Sequence, residues 1–133
     1  MIRYSDSIAG VTPDMLKGFF QGWKKPRTPE EHLEILRHST CIVLAIDADT
    51  NRVVGRITAL TDRVQAAFIP LLEVLPEYQH QGVGSELVNR MLGKLKGIPC
   101  IDLTCYPEMQ KFYAKFGMVP SVGMVIRRYL GGT

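Results

Sequence analysis

Six consecutive residues of this chain have the types and spacing of an anion-binding turn: Gln79-His80-Gln81-Gly82-Val83-Gly84. They lie between an apolar, strand-like run (Ala66 to Leu75) and an amphipathic run that predicts a helix (Ser85 to Lys96). The first four N–H groups of a helix have no intrahelical partner, and the helix dipole adds roughly half a positive charge there, so phosphate oxygens are the expected ligand. Glycine at 82 and 84 lets a bulky diphosphate approach the main chain.

The motif differs from the common nucleotide-binding loops. It lacks the Lys-Ser/Thr ending of a P-loop and the three-glycine spacing of a dinucleotide fold. Together with the preceding Val74-Leu75-Pro76-Glu77-Tyr78, it resembles the GNAT family of N-acetyltransferases, whose signature is Arg or Gln-x-x-Gly-x-Gly or Ala after a V-x-P-E-Y strand end. The resemblance covers about Val53 to Arg128. The alternative is a plain glycine turn between a strand and a helix.

The resemblance implies acetyl-coenzyme A as cosubstrate, with its pyrophosphate on the loop and its pantetheine arm along main-chain groups of the preceding strand. His80 is expected either to contact phosphate or to face solvent. The cofactor-binding residues implied in this way are Leu72, Val74, Gln79, His80, Gln81, Gly82, Val83, Gly84 and Ser85.

Two side chains are candidates for proton transfer. The family commonly uses a tyrosine within a Phe-Tyr-x-x-x-Gly-Phe pattern to protonate the departing thiolate, and Phe112 to Met118 matches it with Met in place of the last aromatic. Tyr113 is therefore the candidate general acid, and the alternative is a packed core tyrosine. Glu73 is the one carboxylate in the cofactor-lining strand and the candidate base, because burial can raise a carboxyl pKa into a useful range.

Strand alternation leaves a second interpretation of Glu73, in which it makes a structural ion pair with Arg56, Arg63 or Lys94. The loop from Trp23 to Arg27 also has two interpretations. In the family this loop overhangs the acceptor, so its aromatic and basic side chains could hold an acidic or aromatic substrate. Alternatively, Trp23 anchors the loop and the charges face water.

Composition restricts the class of protein. The net charge of +3 is too small to predict nucleic-acid binding, and no apolar run is long enough to span a membrane. The three cysteines and three histidines have no metal-binding spacing, so neither a metal nor a disulfide framework is expected. The N-terminus has no apolar signal stretch, which favours a cytoplasmic protein.

Apolar periodicity and turn residues predict ten elements in one domain, residues 1–133. The predicted strands are 2–5, 41–46, 52–60, 66–75, 98–105 and 123–129, and the predicted helices are 13–21, 29–39, 85–96 and 107–116. Near-continuous apolarity of 66–75 predicts burial on both faces, and Pro70 is expected to mark a bulge. The strand-helix-strand unit around the loop should form a right-handed parallel crossover.

The fold class that the resemblance implies is α/β (α+β), with a mixed, mostly antiparallel sheet whose central parallel pair of strands is splayed for the cofactor and flanked by helices. The expected activity is acetyl transfer from acetyl-coenzyme A to a primary amine of a small molecule, peptide or protein. A coenzyme A-binding sensor without turnover is the alternative. A homodimer is expected through the exposed closing strand, 123–129, against a monomer whose own loops cover that edge.

Overall fold

The computed structural model describes residues 1–130, with Leu130 described by its backbone alone. The chain divides into two compact units, Met1–Leu103 and Thr104–Thr133. The first unit contains the phosphate-loop motif and the sheet, and the second contains the predicted tyrosine.

The first unit is built on a five-stranded sheet with the strand order β1-β2-β3-β4-β5. Antiparallel pairing joins β1 to β2, β2 to β3 and β3 to β4, whereas β5 pairs parallel to β4. The mixed, mostly antiparallel sheet with one parallel pair is confirmed, although this pair lies at an edge of the described sheet. The strands are β1 (Ile2–Ser5), β2 (Cys41–Asp47), β3 (Arg52–Thr61), β4 (Ala66–Val74) and β5 (Cys100–Asp102).

Two α-helices complete this unit, and local sequence explains both. Helix α1 (Pro29–His38) begins with a capping box in which the Thr28 side chain accepts from the Glu31 N–H and the Glu31 side chain accepts from the Thr28 N–H. Helix α2 (Val83–Lys94) buries the predicted stripe of every fourth residue, which comprises Val83, Leu87, Met91 and Leu95.

The two faces of the sheet pack against different layers. A Cβ added at Gly55 would lie 3.1 Å from Leu87 and 3.3 Å from Val83, so α2 packs directly on this face of β3. Neighbouring strand residues point to opposite faces, and Arg56 contacts α1 through His32. The sheet is therefore enclosed between α2 on one side and the segment up to α1 on the other.

The helix predicted over 13–21 is wrong beyond its first turn. Residues Pro13–Leu16 form a 3-10 helix, and Thr12 makes no side-chain cap. Gly18 and Phe20 then take positive φ angles of 96° and 66°, which a right-handed helix cannot contain. The chain turns back over the sheet at this point instead of continuing as a helix.

The expected burial of both faces of β4 is also wrong. Ala67 and Ile69 are buried, whereas Phe68 is 39% exposed. Phe68 lies opposite Leu60 of β3, which is 46% exposed, so the helix layer on this face does not cover the start of β4. The apolar run is therefore a strand with one covered face at its start.

The second unit is mostly irregular in the residues that the structure describes. A 3-10 helix (Pro107–Met109) leads into α3 (Gln110–Ala114), and Gly117 at φ 88° ends the turn, as expected. The predicted closing strand, 123–129, is wrong: this stretch has no strand pairing, and Arg128–Leu130 forms a 3-10 turn. The expected homodimer was based on pairing through this strand, and the structure therefore gives that expectation no support.

Substitution of two glycines should separate close packing from helix propensity. Gly55→Val should lower the free energy of unfolding by about 1–3 kcal/mol, because Leu87 and Val83 are buried and leave no room for the added atoms. Gly93→Ala on α2, where nothing lies within 4 Å of the added Cβ, should raise it by about 0.5–1 kcal/mol. Urea denaturation of both variants checks this, and an unchanged Gly55→Val midpoint would contradict the packing argument.

Candidate active site

Strand β4 leaves its parallel neighbour partway along its length. The pairing with β5 extends only from Ala66 opposite Cys100 to Phe68 opposite Asp102. Directly afterwards, the pairing with β3 passes from Leu60 opposite Phe68 to Thr58 opposite Leu71, so two β4 residues stand against one on β3. This is a bulge that contains Pro70, as predicted.

Beyond the bulge, residues 71–74 pair with β3 but not with β5. A four-residue strand segment is about 13 Å long, and its second edge is not used in pairing with β5, although the Val74 carbonyl accepts from the Gln79 side chain. The two predicted cofactor-lining residues of this segment, Leu72 and Val74, are half-buried. The splayed strand that the family resemblance implies is thus present in the geometry of β4.

The loop that follows β4 starts α2 without a side-chain cap. Gly82 is the N-cap, with φ at 85°, and it has no side chain that could accept from the first-turn N–H groups. A Cβ at Gly82 would meet nothing within 4 Å, so the space before the helix start is open. Glu86 in the first turn places a negative charge near this site. Its ion pair with Arg90 at 2.7 Å partly offsets that charge. The uncapped end fits a diphosphate.

Three side chains tie the loop to the sheet or to itself. Gln79 Nε2 donates to the Val74 carbonyl at 2.9 Å, and Gln81 Nε2 donates to the Glu77 carbonyl at 3.2 Å. The Tyr78 hydroxyl donates to Asp47 Oδ2 at 2.6 Å. The two predicted glutamines therefore shape the turn with their side chains, and the Gln79 N–H also donates to the Pro76 carbonyl at 3.3 Å.

The remaining loop residues differ in exposure. His80 is exposed, and its backbone has a φ of 63°, a left-handed conformation that is uncommon for residues other than glycine. Val83 is a core residue at 4% exposure, and Gly84 and Ser85 are half-buried at the start of α2. Sequence analysis placed all of these in one turn, and the structure brings them together at the open end of β4.

The candidate base, Glu73, is held on both carboxylate oxygens. Oε1 accepts from the Phe20 N–H at 2.9 Å, and Oε2 accepts from the Gln21 N–H at 3.1 Å. Arg56 Nη2 approaches Oε1 at 3.4 Å. Of the structural pairings that the sequence left open for Glu73, the one with Arg56 is confirmed.

Arg56 is the centre of a buried cluster, of which sequence analysis anticipated only the pairing with Glu73. Its side chain is 1% exposed, its Nε donates to His32 Nε2 at 2.9 Å, and its guanidinium carbon lies 5.2 Å from the ring centres of both Phe19 and Phe20. Burial lowers the pKa of Arg56 to about 10, against the opposing effect of Glu73, so the guanidinium stays charged at neutral pH. A signal was present in the sequence, since arginine stands within the β-branched run of β3.

His32 in this cluster is neutral. Burial, and to a lesser extent the charge on Arg56, lowers the pKa of His32 from 6.5 to about 3. Because Nε2 accepts a hydrogen bond, the proton lies on Nδ1, a buried atom with no hydrogen-bond partner among residues 1–130. The hydroxyl of Thr58, two residues along β3 from Arg56, is also buried without a partner in this part of the chain.

The candidate acid, Tyr113, belongs to the second unit and lies in an aromatic cluster. Its ring meets Phe112 edge-on at 5.0 Å, and Phe112 meets Phe116 at 5.4 Å. Burial, with a smaller effect of Cys105, raises the pKa of Tyr113 to about 12. The hydroxyl is therefore protonated at neutral pH, as a proton donor must be.

No group of three or more His, Cys, Asp or Glu side chains within residues 1–130 is arranged to hold a metal ion. None of the helices described is both long and apolar enough to cross a membrane.

Comparison with known proteins assigns the chain to a family. Residues 10–118 match the model of the Acetyltransferase (GNAT) family, and the chain belongs to this family. A candidate acetyltransferase from Deinococcus radiodurans R1 is similar in structure, with a TM-score of 0.93, 41% identity, and coverage of 96% of this chain and 89% of that one. No curated protein matches the chain.

Further solved structures share the fold. A GNAT family acetyltransferase from Streptococcus pneumoniae TIGR4 has 31% identity and a TM-score of 0.77, covering 96% of this chain and 99% of that one. Glucosamine-6-phosphate N-acetyltransferase from Arabidopsis thaliana has 14% identity and a TM-score of 0.70, covering 96% and 97%. At that identity the likeness concerns the fold alone.

The buried histidine predicts how stability depends on pH. Unfolding restores an ordinary pKa to His32, so the unfolded state binds an extra proton between about pH 6.5 and about pH 3. Stability from this group is present above pH 6.5 and is lost as the pH falls, by up to about 1.4 kcal/mol per unit. Urea denaturation of His32→Gln between pH 7.5 and 4.5 should give a shallower pH slope than the unsubstituted chain.

His38→Gln is the matched control, because the His38 side chain lies on the same helix and is 80% exposed. Its pH slope should stay close to that of the unsubstituted protein. Equal slopes for His32→Gln and the unsubstituted chain would contradict a neutral His32 in the fold.

Proposed function

We propose that this chain is an N-acetyltransferase that moves an acetyl group from acetyl-coenzyme A to a primary amine of a small molecule, peptide or protein. The amine attacks directly while both substrates are bound. One observation carries the proposal: β4 parts from β5 at the Pro70 bulge and leads, within one short loop, to a helix start capped only by Gly82. Membership of the GNAT family supports the same activity.

The two halves of this arrangement suit the two ends of the cosubstrate. The open edge of residues 71–74 offers main-chain donors and acceptors to the amide groups of a pantetheine arm. The uncapped start of α2 offers N–H groups and a partial positive charge to the diphosphate. The residues proposed to hold the cosubstrate are those predicted from the sequence: Leu72, Val74, Gln79, His80, Gln81, Gly82, Val83, Gly84 and Ser85.

The reaction forms one bond and breaks another. The nitrogen lone pair of the neutral amine forms a C–N bond to the acetyl carbonyl carbon, the C–S bond breaks, and the sulfur leaves with its electron pair. The nitrogen loses a proton and the thiolate gains one. Tyr113 is the proposed donor to the thiolate. Since its pKa is about 12 and that of an ordinary thiol is about 8.5, Tyr113 first stabilises the thiolate through a strong hydrogen bond, and solvent replaces on Tyr113 the proton that the sulfur finally takes.

The identity of the acceptor depends on the surroundings of the attacking amine, and fold likeness does not transfer it. The Arabidopsis enzyme is named for glucosamine-6-phosphate, but at 14% identity its acceptor is not assigned to this chain. A panel of primary amines, with free thiol release as readout, tests the proposed transfer. The cytoplasmic location and the homodimer stay predictions.

Blocking the helix start should abolish cosubstrate binding. Acetyl-coenzyme A at one hundred times its dissociation constant should stabilise the folded chain by about 2.7 kcal/mol and raise its melting temperature. In Gly82→Val this shift should disappear, because the side chain enters the open space before α2.

Gly97→Val is the matched control for strain. Gly97 has a φ of 89° and Gly82 a φ of 85°, and neither has an atom within 4 Å of an added Cβ, but Gly97 lies past the other end of α2. Both variants should melt earlier without ligand, and only Gly97→Val should retain the ligand-induced shift. If Gly82→Val retains it as well, the cosubstrate site lies elsewhere.

Removing one hydroxyl tests the proposed acid. Tyr113→Phe should leave the acetyl-coenzyme A melting shift unchanged and lower turnover by about 10²- to 10⁴-fold, because only the proton donor is lost. Tyr106→Phe is the control in the same unit, since Tyr106 is 76% exposed. Steady-state thiol release measures both, and full activity of Tyr113→Phe would make Tyr113 a packing residue.

A further inference from the structure

Glu73 has an unusual set of hydrogen-bond partners for a catalytic base. Its side chain is 17% exposed, and its two oxygens accept the N–H groups of two consecutive residues, Phe20 and Gln21. Adjacent N–H groups that converge on one carboxylate form a small anion-binding turn. The ligand of this turn is therefore a side chain of the protein itself.

The turn needs this ligand because of its backbone conformation. Phe20 has a φ of 66°, which is uncommon for a large side chain, and its ring is 3% exposed. Such a conformation persists only where the surroundings hold it. The carboxylate of Glu73 on one side and the packing of the Phe20 ring on the other provide that hold.

The charge on Glu73 is needed within the fold. Arg56 is buried beside it, and the other side-chain partner of Arg56 is a neutral histidine, His32. Glu73 is therefore the counter-charge of Arg56, and the two N–H groups of the turn occupy its oxygens as well. Because both oxygens are engaged by groups of the protein itself, the geometry favours a structural carboxylate over a base that must contact the acceptor amine.

The position of Glu73 connects this turn to the proposed reaction. Glu73 lies within residues 71–74 of β4, the segment whose second edge is open beyond the Pro70 bulge. The N–H groups of Phe20 and Gln21 reach its side chain at 2.9 and 3.1 Å. The chain from Phe20 to Trp23 is thus attached to the strand segment proposed to line the cosubstrate.

We infer that Glu73 is a positioning residue of the transfer reaction: its ionised carboxylate fixes the Phe20–Trp23 segment beside the open edge of β4, and this segment orients the acceptor amine. The inference rests on the proposed function. Trp23 is the outer part of the segment, 42% exposed, with its ring 5.0 Å from that of Phe20. The acceptor amine loses its proton to solvent rather than to Glu73.

The fluorescence of Trp23 tests the attachment without any assay of activity. Trp23 is the single tryptophan of the chain, so tryptophan emission and acrylamide quenching report on the surroundings of this one side chain. In Glu73→Gln one acceptor oxygen is replaced by an NH₂ group that opposes a backbone N–H. The quenching constant should then rise up to about twofold, because Trp23 is already 42% exposed.

Glu34→Gln is the matched control for quenching. It removes the same charge from another glutamate paired with an arginine, Arg37, at 2.7 Å. Its quenching constant should equal that of the unsubstituted chain. Equal quenching in all three proteins would overturn the inference.

Kinetics separate a positioning residue from a base. In Glu73→Gln, the KM for the acceptor should rise roughly tenfold, while kcat at saturating acceptor stays within about threefold and keeps its dependence on pH. A kcat that falls a hundredfold or more, with loss of the acidic limb of its pH profile and unchanged Trp23 quenching, would make Glu73 the base.

A second variant disturbs the turn and leaves Glu73 in place. Gln21→Pro removes one of the two N–H donors and disfavours the backbone conformation of Phe20. It should raise the same KM, and the double variant with Glu73→Gln should show little further change, because both act through one turn. Additive effects would overturn the inference. If the unsubstituted chain transfers no acetyl group, the proposed function fails, and Trp23 quenching alone then decides whether Glu73 holds the segment.

Discussion

A buried positive charge constrains the first unit of this protein. Arg56 lies in the middle of β3 with 1% of its side chain exposed, and a charge in such a place must be compensated. Glu73 on the neighbouring strand supplies the counter-charge, His32 supplies a neutral acceptor, and two phenylalanine rings cover the guanidinium. Because these partners come from β4, from α1 and from the turn before α1, one charge joins three parts of the chain.

The second constraint is the place where parallel pairing stops. The Pro70 bulge follows directly after the last β4–β5 pair, and proline supplies no N–H to continue a ladder. The open edge beyond it and the Gly82 helix start lie on the same strand-loop-helix connection. Glu73 belongs to both constraints, since it compensates Arg56 from within the open segment. The ion pair that compensates the buried Arg56 therefore includes a residue of the strand segment proposed to contact the cosubstrate.

Local signals in the sequence predicted the parts that local physics determines. The helix start at Pro29, the amphipathic helix α2 and the bulge at Pro70 each depend on residues close together in the chain, and each is present in the structure. The helix over 13–21 failed because its apolar residues serve a turn with positive φ at Gly18 and Phe20. Propensity also predicted a strand at 123–129, but a strand requires a pairing partner that the described residues do not provide.

The contact of Arg56 with His32 lay beyond such signals, because the two residues are 24 positions apart along the chain. The sheet register places Arg56 opposite Glu73, and the packing of α1 on the same face brings His32 to Arg56.

This difference in range also explains why the sequence indicates the acyl donor better than the acceptor. In the proposed reaction, main-chain groups hold the donor, and the glycines and proline that expose those groups form a short, contiguous motif. The acceptor would be oriented by the Phe20–Trp23 segment, whose placement depends on a carboxylate more than fifty positions away at 73. Contacts of that range leave no fixed spacing in a sequence. Two chains with the same donor motif can therefore differ in acceptor through the residues that shape and hold this one turn.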